Sequence, residues 1–559
     1  MIGVISKQSE VSAVKEFFQL FKTPWEWYVP HRGYGLVITT TGEVPADPGI
    51  NAIAVYDSRA TPLDHETGIR IRPISQPTCL KFNDADLPLY RTASVLESAE
   101  APFLHLSGSS QGVGLEIVGT KRHIVRIGYD LFEEVSFLLS EGQPSENATI
   151  PTLELHISLL RSIMLRVGAP YVEVLPVPAG YEFMACLTHD VDFTGIREHK
   201  FDSTMWGFVY RALVGSFRDA LGGRTSWSKC RRNWRAVFSL PLVYLGLIED
   251  FWLEFDRYME IEKGLGSTFF FIPFKNYPGT RNSQPAPKRR AAKYDLLTIK
   301  KEIRALIDNG CEVGLHGVDA WQGTEQARTE LSRIQEVTRQ PNAGVRMHWL
   351  YWADTSPKAL EEAGLSYDST FGYNDAVGFR AGTAQAFCPL GGESFIELPL
   401  IAQDTALFYP DRMGLSETEA MDSCRQLIRQ ALLFGGVLTI NWHTRSLSPE
   451  RLWGDFYQEF LNEIKEHRVW FRTAGHAVRW FQSRRALQFE RVQFVEDGLQ
   501  LKVSLPTFEP GQPPFTLRIH HPMVNGAVET DTGTQCPYAD IPWKGEAELS
   551  LVQPEHSRS

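Results

Sequence analysis

The sequence contains no Cys-x-x-Cys pair, no uncharged run long enough to cross a bilayer, and no excess of positive charge. Its seven cysteines are odd in number and scattered, which argues against a disulfide-stapled secreted domain and suits reduced thiols in a cytoplasmic protein. The start, Met1-Ile-Gly-Val-Ile-Ser-Lys-Gln-Ser-Glu10, lacks the basic stretch followed by an apolar one that marks a secretory leader. A net charge of -11 speaks against a nucleic-acid partner. Up to Gly180 there is neither a nucleophile elbow nor a glycine-rich phosphate loop, so His123 and His156 read as surface or packing residues. What is present is an ordinary globular composition, 43% hydrophobic and 22% charged. At 559 residues the chain exceeds a single core and implies roughly two to four domains.

Three regions follow from the patterning. Over 1–178, short apolar runs such as Gly35-Leu-Val-Ile-Thr-Thr40 and Ile53-Ala-Val-Tyr56 alternate with polar loops. Ile124-Val-Arg-Ile-Gly128 then leads into an amphipathic stretch from Tyr129, and Pro151 opens a further amphipathic helix. This predicts a three-layer α/β domain. Over 179–486 strand and helix signals alternate, with strands expected at Phe183–Leu187, Ser267–Ile272, Cys311–Leu315, Val345–Leu350, Ser366–Thr370, Phe395–Leu400, Val437–Trp442 and Val469–Thr473. That is the form of a parallel α/β sheet or barrel with seven or eight units. Beyond 487, short alternating runs punctuated by Gly498, Gly511 and Gly526 predict a small antiparallel β domain, with a frayed polar tail from Gln553 to Ser559.

A helical, aromatic insertion occupies about 195–258, between the first two strands of the central region. Its 197–235 segment carries nine Lys or Arg against three acids, a local balance of +6 on an acidic protein. The uncharged run Ala236–Ile248 that follows is broken by Pro241 and is too short to span a bilayer. Three readings stay open for the 197–248 stretch: peripheral contact with an anionic membrane surface, a lid gripping an acidic or lipid-linked substrate, or a solvated hairpin packed on the barrel.

The central region opens on Phe183-Met-Ala-Cys-Leu-Thr-His-Asp-Val-Asp192, an apolar strand ending in metal-competent side chains. Asp190 and Asp192, two apart in extended chain, face the same way. A strand-end Asx turn explains one aspartate but not His-Asp-Val-Asp. Three later strand ends add Leu315-His-Gly-Val-Asp-Ala-Trp321, Arg346-Met-His-Trp349 and Leu438-Thr-Ile-Asn-Trp-His443. Singly, His316 could cap a strand, Arg346 pair with any carboxylate, and His443 be a satisfied core histidine. Jointly, they hold what metal-assisted hydrolysis needs: an Asp/His ligand set, a carboxylate base and a proton donor.

In order and content these segments resemble the polysaccharide deacetylase family, carbohydrate esterases with the NodB homology domain, over roughly Glu182 to Arg485. The resemblance implies an α/β fold with a distorted (β/α)7-8 barrel. It further implies Asp190 as base, Asp192 and His316 as ligands of a divalent metal such as zinc, Arg346 orienting the base, and His443 as general acid. The family's second metal histidine falls on Ala320, a departure. The vacant position has three candidates within the motifs: His189, Asp319 and His348. The polar loop from Tyr367 to Thr383 supplies Asp368, Asn374, Asp375 and Arg380 as a substrate-binding rim, with Trp321 and Trp442 beside the motifs; an ordinary hydrogen-bonded loop is the rival reading. The leading expectation is a hydrolase removing an acyl group, N-acetyl in the first instance, from a carbohydrate. The rivals are a carbohydrate-binding pseudoenzyme and a metal-free cyclic-amide hydrolase on the same barrel.

Overall fold

The structure, a computed structural model, describes every residue except 75–77, 118–121, 224, 282–283, 496–497, 507–510, 521–537, 546–547 and 553–559. Gly526, Cys536, Arg224, Ala547 and the polar tail expected to fray lie outside the described residues. No disulfide joins the six cysteines among the described residues. The chain divides into two compact units. One comprises 1–180, 380–390 and 479–559, and the other 181–379 and 391–478.

The first unit holds a nine-stranded mixed sheet. Trp25–Trp27, Ile2–Ile5, Leu36–Thr39, Ala52–Tyr56 and His123–Ile127 run parallel, and Gly112–Ile117, Pro102–Leu106, Thr78–Phe82 and Ala85–Leu89 continue it antiparallel. Ile53, Val55 and Val37 are fully buried within it. The C-terminal strands, expected as a domain of their own, belong to this unit. Gln488–Val495, Gly498–Ser504 and Glu548–Val552 form one antiparallel sheet, but Phe515–His520 pairs with Tyr171–Val174 on one edge and Tyr538–Trp543 on the other. A buried polar knot explains the recruitment: Arg161 and His520 both bond the Glu173 carboxylate, and the His520 ring stacks on Tyr171 at 4.2 Å. Long-range pairing of this kind leaves no trace in local periodicity.

The second unit is α/β, built on a curled parallel sheet in the order Val345–Met347, Glu312–Gly317, Ser267–Phe271, Phe183–Val191, Val437–Asn441, Ala402–Gln403. Phe183–Val191 is buried at all nine positions. It passes one edge from Val469–Phe471, paired with Phe183–Ala185, to Ser267–Phe271, paired with Leu187–Val191. Every ladder of this sheet is parallel, so all its carboxyl ends open on one side, where side chains from separate strands can meet.

Two expected strands are reduced to isolated parallel bridges, Val345↔Asp368 and Asp368↔Glu397. Side chains there take hydrogen bonds that a ladder would use: Thr370 Oγ1 accepts from Met347 N at 2.9 Å, and Glu397 Oε1 from Phe371 N at 2.8 Å. The strand expected to reach Leu350 stops at Met347, because Trp349 and Leu350 adopt left-handed φ of 64° and 52°. The insertion is helical, with Ser203–Tyr210, Ser216–Leu221 and Trp227–Tyr244. It has a core of its own around Ile196, Phe208, Leu240, Val243 and Trp252.

Candidate active site

Strand alternation and register assemble the site. Thr188, Asp190 and Asp192 share one face of the central strand. Thr188 is registered with Asn441 and His316 with Arg346. Asp190, 3% exposed, is held on both carboxylate oxygens: Arg346 Nη1 donates to Oδ1 at 3.2 Å and Asn441 Nδ2 to Oδ2 at 2.8 Å. Arg346 is itself fully buried and spends its other donors on Thr188 Oγ1 and on the carbonyl and hydroxyl of Ser369, with its guanidinium over the Phe270 ring. Burial pushes the Asp190 carboxyl up, but its neighbours His316, Arg346 and His443 outweigh it and hold the group below the ordinary carboxylate range.

Beside it, Asp192, His316 and His348 bring their donor atoms within 4.8 Å of one another. His316 Nδ1 donates to the Arg346 carbonyl at 2.9 Å, because a carbonyl can only accept. That fixes the tautomer and leaves the Nε2 lone pair facing His348 Nδ1 at 3.0 Å. Asp192 Oδ1 lies 3.2 Å from His348 Nδ1 and 3.5 Å from His316 Nε2, yet neither contact is aligned as a hydrogen bond, so this buried oxygen has no donor among the described residues. Burial pushes Asp192 up, but the histidines overcome it and keep it well below the usual range. Burial also brings His348 down to about 4, leaving it neutral near pH 7. One carboxylate with an orphaned buried oxygen, the Nε2 lone pair of His316 and the His348 Nδ1, which offers its own once a cation displaces its proton, fit a divalent cation.

His443 completes the cluster, its Nε2 3.9 Å from Asp192 Oδ2. Its Nδ1 and backbone N–H both bond the fully buried Asp404, at 2.6 and 2.8 Å, and Ser446 Oγ also donates to that carboxylate. Burial pulls the imidazole down, but Asp404 outweighs it and raises the group above the ordinary histidine value.

The structure brings Asp190, Asp192, His316, Arg346, His348 and His443 together and sends other candidates elsewhere. His189 points to the opposite face of its strand, bonding Glu262 and the Trp442 carbonyl. Trp442, also out of phase, is buried and stacked on Phe456 and Tyr457. Asp319 accepts from Tyr277 Oη and Thr280 N, anchoring the Tyr277–Thr280 segment rather than joining the histidines. Asp368 is buried in the sheet, where desolvation pushes it up to about 6, and Thr370 donates to it. The cavity over the cluster, about 1460 Å³, is lined by Trp321 and Asn374 but not by Asp368, Asp375 or Arg380. Arg380 is part of the first unit, where its carbonyl accepts from Gln143 N.

Thr188, Ser369, Asp404 and Asn441 escaped sequence reasoning as site residues. Thr188 and Asn441 each precede a site residue by two, a signal that period-two alternation carries. Asp404 stands as the one acid in the apolar run Leu398–Leu407. Ser369 left no signal.

No protein-family model and no curated protein matches the sequence. Polysaccharide deacetylases are among the solved structures similar to it. One, from Mycobacterium smegmatis and assigned to that family, is 19% identical over 56% of this chain and 94% of its own, with a TM-score of 0.36. The PuuE allantoinase is 13% identical over 55% and 92%, at 0.31. BA3943, a CE4 family pseudoenzyme from Bacillus anthracis, is 12% identical over 41% and 62%, at 0.22. At these identities and TM-scores none of the likenesses says what this chain acts on.

Proposed function

We propose that the chain is a metal-dependent hydrolase that removes an acyl group, N-acetyl in the first instance, from an amino sugar of a polysaccharide or glycan precursor. The observation that carries this is the convergence, in one cavity, of an Asp192–His316–His348 donor set, an Arg346-clamped Asp190 and an Asp404-backed His443. Asp192, His316 and His348 would hold a divalent cation, zinc being the first candidate for an N2O set. A cation there supplies Lewis acidity toward an acyl carbonyl and a lowered water pKa.

The chain's own residues do the rest. Asp190, kept anionic by its two partners, accepts a proton from the attacking water as the water oxygen bonds to the acyl carbon. His443, whose hold on its proton Asp404 strengthens, gives a proton to the departing amine nitrogen as the C–N bond breaks. Arg346 fixes the base without touching the substrate. The isolated bridges at Asp368 and Glu397, with the Ala402–Gln403 pairing, support closure of the curled sheet into a distorted seven-unit barrel. Trp321 lines the cavity and offers an aromatic ring to a sugar. The test pairs bound-metal content of the purified protein with acetate release from N-acetylated amino-sugar oligomers. Wild type should bind metal and release acetate, and Asp190→Asn should keep the metal while losing release. Full release by that variant removes Asp190 as the base.

We also assign membrane-surface contact to the insertion. On the Trp227–Tyr244 helix, Arg231, Arg235, Phe238 and Leu242 share the exposed face, with Phe238 73% exposed, while Ala236, Leu240 and Val243 are buried. Trp206 and Tyr210 are exposed on the Ser203–Tyr210 helix of the same insertion. An aromatic and aliphatic ridge with arginines on the same face suits an anionic bilayer surface. No helix among the described residues is long and apolar enough to cross a membrane. Ser203, Thr204 and Arg211 of the insertion line the cavity, so membrane contact and access to the site are linked.

A further inference from the structure

The cavity's charge is opposite to that of the chain. Seven arginines and three aspartates line it, with no lysine or glutamate, on a protein of net charge -11. Two of the aspartates, Asp190 and Asp192, are already engaged by Arg346 and the histidines. Arg211 and Arg445 are paired with Glu450, and the buried Arg290 donates to the carbonyls of Pro278, Val318 and His348. Four arginines remain that form no ion pair among the described residues: Arg281, Arg289, Arg412 and Arg451.

These four are arranged rather than dangling. Arg281 lies over the Tyr351 ring at 4.8 Å and Arg289 over Trp349 at 5.3 Å. The chain carries left-handed φ at Trp349 and Leu350 between those two platforms, a conformation that costs non-glycine residues free energy and concentrates at functional sites. Arg412 and Arg451 share the Tyr409 ring, at 5.3 and 5.2 Å; Arg412 Nη1 donates to Thr405 Oγ1, and Arg451 donates to Ser446 Oγ and to the Tyr409 hydroxyl. Stacking immobilises a guanidinium while leaving in-plane donors on Arg281, Arg289 and Arg412 available, and that fork matches the two oxygens of a carboxylate or phosphate. Gathering four unpaired like charges around one cavity is unfavourable unless an anion joins them.

We infer that the substrate is an anionic glycan, bearing phosphate or carboxylate groups that Arg281 with Arg289, and Arg412 with Arg451, recognise beside the acylated sugar. Neutral chitin-like oligomers lack what these groups bind. The inference rests on reading the cavity as a carbohydrate site but not on turnover, so its test is a binding measurement, made with and without added metal.

Calorimetry on the full chain would compare three N-acetylated ligands: neutral chitotetraose, UDP-N-acetylglucosamine carrying phosphate, and a hyaluronan tetrasaccharide carrying carboxylate. At least one anionic ligand should bind about tenfold or more tighter than the neutral one, with affinity falling as salt rises. The arm that binds identifies phosphate or carboxylate as the source of charge. The double variants Arg281→Gln/Arg289→Gln and Arg412→Gln/Arg451→Gln should each weaken the anionic ligand by about tenfold or more and leave chitotetraose unchanged. Arg281→Lys/Arg289→Lys should recover part of the loss, and unfolding followed by circular dichroism checks that each variant is folded. Equal affinity for neutral and anionic ligands, salt-independent binding, or folded glutamine variants that both bind like wild type would overturn the inference. Absence of acetate release with these binding results intact would overturn the hydrolase proposal and leave this one standing.

Discussion

Replacing Asp404 by asparagine tests how the proton donor is tuned. Asparagine keeps the size of the side chain and an oxygen able to accept from His443 Nδ1, now 2.6 Å away, but removes the charge that outweighs burial and raises the imidazole. A general acid works only while protonated, so a raised pKa extends activity upward in pH. Removing its cause must move the alkaline limb of kcat/KM to lower pH. Hydrogen bonds to charged groups contribute about 1.5–3 kcal/mol, which corresponds to a roughly ten- to hundredfold fall in kcat/KM at neutral pH. A pH–rate series on an N-acetylated glycan, with thermal unfolding to check the fold, reads both quantities. KM should change less than kcat, because Asp404 acts through His443 and does not touch substrate. An alkaline limb that stays in place, with kcat intact, would refute the assignment of His443 as an acid tuned by Asp404.

Other expectations follow from the same geometry. His348→Ala should weaken metal binding by at least about tenfold in a competition titration, since it removes one of three donors. Ala320→His should not restore it, because His348 already stands with Asp192 and His316; recovery of affinity would return the missing ligand to position 320. Arg346→Met should destabilise the fold by about 3–5 kcal/mol, because it strands the Asp190 charge in the interior, and Asp190→Asn in the same chain should recover much of the loss. Additive losses in thermal or denaturant unfolding would show that the pair is not coupled. Replacing Phe238 and Leu242 by serine should abolish co-sedimentation with anionic vesicles while leaving metal binding unchanged. Unaltered sedimentation would leave the ridge without a membrane role.

The sequence by itself determined the pieces that depend on short range. Period-two alternation in Thr188–Asp192 put both aspartates on one face, and the apolar run before them required a buried strand. Pro151 marked a helix start close to that observed at Thr152, because the first turn of a helix is set by chemistry between residues a few positions apart. Which side chains meet was a different matter. His189 and Trp442 are as metal- and sugar-competent in composition as their neighbours, yet one residue of phase sends them to the other face of the sheet. His348 and Ala320 could be ranked only once the register Leu315↔Val345 brought two strands side by side. Asp404, Asn441 and Ser369 lie far along the chain from the groups they hold. The pairing of Tyr171–Val174 with Phe515–His520 joins segments separated by most of the chain. Local propensity acts over a turn or a strand, whereas a buried charge must find its partner wherever packing delivers one, and only the tertiary structure decides where that is.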